Sequence, residues 1–249
     1  MEPDSLTGKV ALITGGARRV GAEICRILHA QGMNLAVHFR SSGGDAQALQ
    51  RELHAIRPDS VLLLQGDLLD AAEPPGLVSR TLQCFGRLDV LVNNASSFYP
   101  TPIGEATDQH WDDLVGSNLR APFFLSQAAA PYLKKSGGCI VNITDIHAER
   151  PLKRYPIYSI AKAGLAMLTK SLARELAPEV RVNAVAPGTI LWPEIGLDDT
   201  MKQRILARVP RKQPGAPADI ARTVLFLVRD AAYISGQTIA VDGGRSVVA

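Results

Sequence analysis

Lys9-Val10-Ala11-Leu12-Ile13-Thr14-Gly15-Gly16-Ala17-Arg18-Arg19-Val20-Gly21 is the stretch whose reading decides the fold. Its first six residues form a short apolar run, which reads as a buried strand. A glycine-rich turn follows at once. A helical pattern then runs to about Gln31, with Gly32 as its stop signal. Strand, glycine turn and helix in this order aim backbone N–H groups and the positive end of a helix at one point, the geometry that holds a phosphate. A tight strand–helix turn without a ligand has the same local pattern, so the rest of the chain must decide.

Outward from this stretch, strands and helices alternate. Asn34–Phe39 reads as the second strand, and Arg40, Ser41 and Ser42 follow it. A dinucleotide site that prefers NAD places an Asp or Glu near this point for the ribose 2′-hydroxyl. No acid stands there. Arg40 and Ser41 suit a 2′-phosphate, and Arg18 and Arg19 add positive charge, so the expected cofactor is NADPH. His38 lies beside them, near the adenosine end. Further strands are expected at 60–65, running into Gly66-Asp67-Leu68, and at 88–92, 139–143, 181–186 and 238–241. Helices are expected at about 45–56, from Pro74-Pro75 onward, from Thr107 to about Leu133, from Pro156 onward, near 201–208, and from Pro217 to about Val228. This alternation predicts one α/β domain, a parallel sheet covered by helices on both faces.

Composition agrees. A chain of 249 residues, with few aromatics and many Val, Leu, Ile and Ala, suits a single packed domain. A net charge of +3, with its Arg and Lys scattered, gives no nucleic-acid-binding surface. Cys25, Cys84 and Cys139 have neither metal-ligand nor disulfide spacing. They read as reduced thiols, mostly buried, in a cytoplasmic protein. The histidines show no metal-ligand spacing. The polar N-terminus has no signal-peptide core, and no apolar run is long enough to span a membrane.

Chemistry is concentrated in Tyr158-Ser159-Ile160-Ala161-Lys162. Four residues apart on a helix, Tyr158 and Lys162 share a face. A nearby ammonium lowers a phenol's pKa and makes the pair a tuned proton donor or acceptor. Asp145 lies just past the fifth strand; an Asp placed beside Tyr158 would oppose that pull and keep the phenol protonated. Asn93-Asn94-Ala95-Ser96-Ser97-Phe98-Tyr99-Pro100 leaves the fourth strand at the edge where ligands collect; Phe98 offers a flat apolar face there. Asn118 is a poor helix former inside a helical stretch. The loop-rich segment 189–217 reads as a mobile lid, with Trp192 and Pro193 setting side-chain selectivity. Arg150, Lys153 and Arg154 read as a solvated basic loop, with a folate's acidic tail as the alternative partner.

Taken together, Thr14-Gly15…Gly21, Asp67, Asn93-Asn94-Ala95, Asn118, Tyr158…Lys162, Pro187-Gly188 and Asp242-Gly243-Gly244 resemble the short-chain dehydrogenase/reductase family over essentially the whole chain. The resemblance implies a single Rossmann-type domain with a seven-stranded parallel sheet, in a homotetramer. It implies that Tyr158 exchanges a proton with substrate, that Lys162 holds the nicotinamide ribose, and that Asn118 anchors a water in the proton relay. Cofactor contacts are implied at Gly15, Arg18, Arg19, Val20 and Gly21, and at His38, Phe39, Arg40 and Ser41. Asp67, Leu68, Asn94, Ala95 and Ser96 follow, then Tyr158, Lys162, Pro187 and Gly188.

Two departures narrow the resemblance. Arg19 stands where the family usually has Gly, and Asp145 where it usually has its catalytic Ser. Both look like the pteridine reductase branch, which implies NADPH-dependent reduction of dihydropterins or dihydrofolate. In that branch the counterpart of Phe98 sandwiches the pterin against nicotinamide, and the counterparts of Arg19 and Ser96 touch cofactor and substrate together. Asp145, Tyr158 and Trp192 complete the expected substrate contacts. Two other readings compete: a ketone reductase, such as one for 3-oxoacyl thioesters, which would want Ser at 145, and a non-catalytic NADP sensor, against which intact Tyr158 and Lys162 argue.

Overall fold

A computed structural model of the chain describes residues 5–192 and 198–248. Seven strands, β1 (Val10–Ile13), β2 (Asn34–Phe39), β3 (Val61–Gln65), β4 (Val90–Asn93), β5 (Cys139–Ile143), β6 (Arg181–Pro187) and β7 (Thr238–Val241), form one sheet. Its order is β3-β2-β1-β4-β5-β6-β7, and every neighbouring pair is parallel. The fold is the expected single Rossmann-type α/β domain.

Because successive side chains of a strand point to opposite faces, each apolar strand feeds two cores. Ala11 and Ile13 of β1 pack in one cluster with α1 (Arg19–Ala30), α2 (Gly43–His54) and α8 (Pro217–Arg229). Leu12 packs in the other, with α3 (Glu73–Phe85), α5 (Ala121–Ser136) and the C-terminal half of α6 (Pro156–Glu175). This double burial explains why β1, β2 and β4 read as continuous apolar runs and not as alternations.

The chain winds outward from β1 to β3, then crosses back to place β4 on the other side of β1. The crevice where the order reverses lies outside the ends of β1 and β4. Thr14 and Asn94 join its two walls. Thr14 Oγ1 accepts from the backbone N–H groups of Asn94 and Ala95, both at 3.0 Å. Asn94 Nδ2 donates to the carbonyls of Thr14 and Gly15, both at 2.9 Å. One residue earlier, Asn93 turns into the core and donates to Asn142 Oδ1 at 2.8 Å.

One element departs from expectation. The helical stretch from Thr107 is not continuous: α4 (Asp108–Val115) and α5 are joined by a π turn, Gly116–Arg120. Thr107 caps α4, accepting from His110 N–H. In the segment read as a lid, α7 spans Asp199–Ala207, while residues 193–197, and with them Pro193, lie outside the described residues.

Candidate active site

The carboxyl ends of the strands open into one cleft of about 1030 Å³. Every residue expected to touch cofactor or substrate lines it, from Gly15 and Arg18–Gly21 at the glycine turn to Pro187, Gly188 and Trp192 beyond β6. His38, Phe39, Arg40 and Ser41 stand past β2, Asp67 and Leu68 past β3, and Asn94, Ala95, Ser96 and Phe98 past β4. Asp145, Tyr158 and Lys162 complete the lining. Asn118 is the exception: it is fully buried behind the wall.

The glycine turn is a cradle that side chains would fill. A Cβ on Gly21 would meet the Gly15 carbonyl oxygen at 2.1 Å and Asn94 Nδ2 at 2.7 Å. Gly15 has φ +59°, a left-handed conformation that glycine adopts without strain. Arg19 adopts φ +53° without that freedom, at the position where the family usually has Gly. Its guanidinium reaches across the cleft, Nη2 donating to the Trp192 carbonyl at 3.3 Å. A bare backbone at the mouth of a strand–turn–helix unit fits the pyrophosphate of a dinucleotide.

Asp145 is set by the end of β5 and the short 3₁₀ turn Ile146–Ala148. Its Oδ1 accepts from His147 N–H at 2.8 Å, which fixes the carboxylate, and its Oδ2 accepts from the Tyr158 hydroxyl at 2.8 Å. Pro156 starts α6 and lets the helix begin just before Tyr158. One turn on, Lys162 is buried and donates to the Ile143 carbonyl at 2.9 Å.

In the balance between Lys162 and Asp145 at Tyr158, burial and Asp145 dominate. Burial, followed by the charge of Asp145 and its hydrogen bond, holds the phenol well above its ordinary value. The ammonium is 5.7 Å from the phenol ring centre and is itself pushed down to about 8 by burial, against the pull of Asp145. The phenol therefore holds its proton at neutral pH, which is the outcome that Asp145 predicted.

Phe98 is half exposed and stacks on Tyr155, with ring centres 4.7 Å apart and planes 15° apart. Its edge contact with Tyr158 has ring centres 4.8 Å apart. One face of Phe98 is thus covered by the protein. Asn118 Nδ2 donates to the Ser97 and Leu114 carbonyls, both at 2.9 Å, while its buried Oδ1 has no partner among the described residues. Arg150, Lys153 and Arg154 are exposed and none lines the cleft.

Sequence reading missed three prominent members of the lining. Tyr155 sits three residues before Tyr158, a spacing that was open to view. Arg208 follows α7, and Arg245 follows the Asp242-Gly243-Gly244 motif that had been singled out without the residue after it.

A family profile described as enoyl-(acyl carrier protein) reductase matches residues 15–246. The chain belongs to the short-chain dehydrogenase/reductase family. As a member of that family it is an oxidoreductase, a reductase that works with a nicotinamide dinucleotide. The chain is 38% identical to pteridine reductase 1 of Leishmania tarentolae, over 98% of each chain. It is 39% identical to the 3-oxoacyl-[acyl-carrier-protein] reductase FabG of Staphylococcus aureus strain Mu50, over 95% of this chain and 97% of that one. FabG of Staphylococcus epidermidis strain ATCC 12228 is 38% identical over 95% and 98%. The short-chain reductase fold accounts for the sheet, the glycine cradle and the Tyr158–Lys162 pair; substrate choice rests on what surrounds them.

Proposed function

We propose that this short-chain reductase is an NADPH-dependent pteridine reductase, acting on dihydropterins of the dihydrobiopterin kind, on dihydrofolate, or on both. The observation that carries the reading is the hydrogen bond from the Tyr158 hydroxyl to Asp145 Oδ2 at 2.8 Å. A Ser at position 145 would give a ketone a neutral donor for its developing alkoxide. A pterin is reduced at a C=N bond, and a proton must reach a ring nitrogen. Tyr158 and Asp145 together hold that proton at the cleft wall as one coupled pair. The likeness to the Leishmania enzyme supports the same reading.

The dinucleotide, when bound, supplies the hydride. Gly15 and Gly21 would let its pyrophosphate approach the backbone. Arg40, Ser41, Arg18 and Arg19, with no acid directly after β2, favour a 2′-phosphate and hence NADPH. Lys162 would hold the nicotinamide ribose. The unpaired Asn118 Oδ1 would accept from a water on the proton path. Phe98 would offer its open face to the substrate ring, Arg19 and Ser96 would touch substrate and cofactor together, and Trp192 would form the far wall. Three free cysteines suit a cytoplasmic setting. Exposed Phe123, Phe124, Ile160 and Met167 on α5 and α6 suit packing against further copies in a homotetramer. No helix among the described residues is long and apolar enough to cross a membrane.

The competing reading is a 3-oxoacyl thioester reductase, favoured by 39% identity to the staphylococcal enzyme. NADPH oxidation with dihydrobiopterin, dihydrofolate and a 3-oxoacyl thioester, repeated with NADH, separates the two. Pterin turnover with NADPH preferred is expected. Asp145→Ser is expected to lower pterin turnover by about a hundredfold or more while NADPH still titrates the protein. Turnover of the thioester alone, or full pterin activity in Asp145→Ser, overturns the proposal; NADPH binding without consumption would mark a sensor.

A further inference from the structure

Arg245 stands at the start of a short 3₁₀ turn, Arg245–Val247, directly after Gly243 and Gly244, which have φ +65° and +85°. Asp242 fixes this bend by accepting from the backbone N–H groups of Gly244 at 2.8 Å and Ser246 at 2.6 Å. The bend brings Arg245 into the lining of the cleft that holds Asp145, Tyr158 and Trp192.

The guanidinium there is half-buried and nearly unpartnered. Nη1 donates to Thr189 Oγ1 at 2.5 Å, which anchors it. Among the described residues its side chain makes no other hydrogen bond and no ion pair of 4.0 Å or less. Guanidinium carries five N–H donors in a planar fork, so most of its donors have no protein acceptor among the described residues. Asp145 is close enough for its charge to act on Arg245, yet its two oxygens accept from His147 and Tyr158 and neither pairs with the guanidinium. Burial and the nearby Arg208 pull the Arg245 pKa below its ordinary value, against Asp145 and Asp242. Arg208 lines the same cleft and has no ion pair among the described residues. A partly desolvated cation is costly unless an anion completes it, and a guanidinium fork suits carboxylate and phosphate oxygens.

We infer that Arg245, assisted by Arg208, forms an oxyanion-binding subsite for the non-reacting part of the substrate. The inference rests on reading this end of the cleft as the substrate end, and it deepens the proposed function by dividing its substrates. Dihydrofolate carries carboxylates outside the reduced ring, and dihydrobiopterin carries none. For a thioester reductase, the phosphates of a phosphopantetheine carrier present the same chemistry.

The test is steady-state kinetics of the wild-type protein, Arg245→Met and Arg245→Lys with dihydrofolate, dihydrobiopterin, acetoacetyl-CoA and acetoacetyl-pantetheine, which lacks phosphate. Thermal melting checks that each variant folds. Arg245→Met is expected to raise KM for dihydrofolate by about tenfold or more with little change in kcat. KM for dihydrobiopterin should stay within about twofold, and Arg245→Lys should recover part of the loss for dihydrofolate. If the protein reduces only thioesters, the pterin reading fails while a KM rise for acetoacetyl-CoA, absent for acetoacetyl-pantetheine, still supports the subsite. Where turnover is absent, calorimetric titration of the NADP⁺-loaded protein with dihydrofolate and acetoacetyl-CoA reads the same difference. Equal losses for charged and uncharged substrates, or no loss of KM or affinity for either, would overturn the inference.

Discussion

At the scale of single residues, His38 is engaged on both sides of its ring. Gly15 N–H donates to Nδ1 at 3.3 Å, so Nδ1 is the lone-pair nitrogen and Nε2 carries the proton, which faces the Gly66 carbonyl at 3.1 Å. The ring that sequence placed among cofactor contacts lines the cleft, but its nitrogens tie β2 to the turns after β1 and β3. Burial pushes its pKa from 6.5 down to about 4. The unfolded chain therefore binds this proton first as pH falls. Stability contributed by neutral His38 is fully present above 6.5 and is lost progressively toward 4, on the order of 3 kcal/mol in all. Urea unfolding at pH 7 and pH 4.5 should show this loss in the wild-type protein and a smaller one in His38→Gln. Equal losses in the two proteins would remove His38 from the account.

Residue chemistry was legible where neighbours in sequence are neighbours in space. Tyr158 and Lys162 lie on one helix, and both stand where their spacing put them. Asp145 was readable as their partner only through the family resemblance, since it stands where the family usually has its catalytic Ser, two residues past the end of β5. Arg245 was not, because it joins Asp145 in the cleft lining only through the order of the sheet, with about a hundred residues of chain between them.

At the scale of elements, strands were the easiest to read. β2, β5 and β7 have the limits that their mainly apolar runs gave, since each run stops where turn residues begin. Helix interiors were harder. The stretch from Thr107 looked continuous because a π turn keeps the chain helical. Its hydrogen bond runs from Ala121 N–H to the Gly116 carbonyl, and the widened turn lets Asn118 reach the Ser97 and Leu114 carbonyls. A poor helix former inside a helical run was the available signal. The glycine turn yields a prediction at this scale. Gly21→Ala would drive a methyl into the Gly15 carbonyl and Asn94, so the turn must open. NADPH affinity, read by fluorescence titration, should fall by at least about tenfold while far-UV circular dichroism still reports the sheet. Unchanged affinity would mean that the turn is not the phosphate cradle.

At the scale of the whole molecule, the outer face of one helix leaves apolar side chains uncovered. Ile160 and Met167 are 53% and 62% exposed, seven residues apart and so on one face of α6. A helix hydrophobic beyond its own core stripe calls for a partner. The double variant Ile160→Asp/Met167→Asp should sediment as a smaller species than the wild type. If wild type and variant sediment alike, α6 is not the assembly surface.

The cleft takes its walls from nearly the full length of the chain, and the walls arrive in a fixed order during synthesis. The glycine turn, the basic loop after β2 and the Asn94 clamp are all made by residue 97, whereas Asp145 and Tyr158 come later and Arg245 comes last. In that order the residues proposed to cradle the pyrophosphate are made before those proposed to hold the proton, and the proposed anion subsite waits for the strand at the sheet edge, β7.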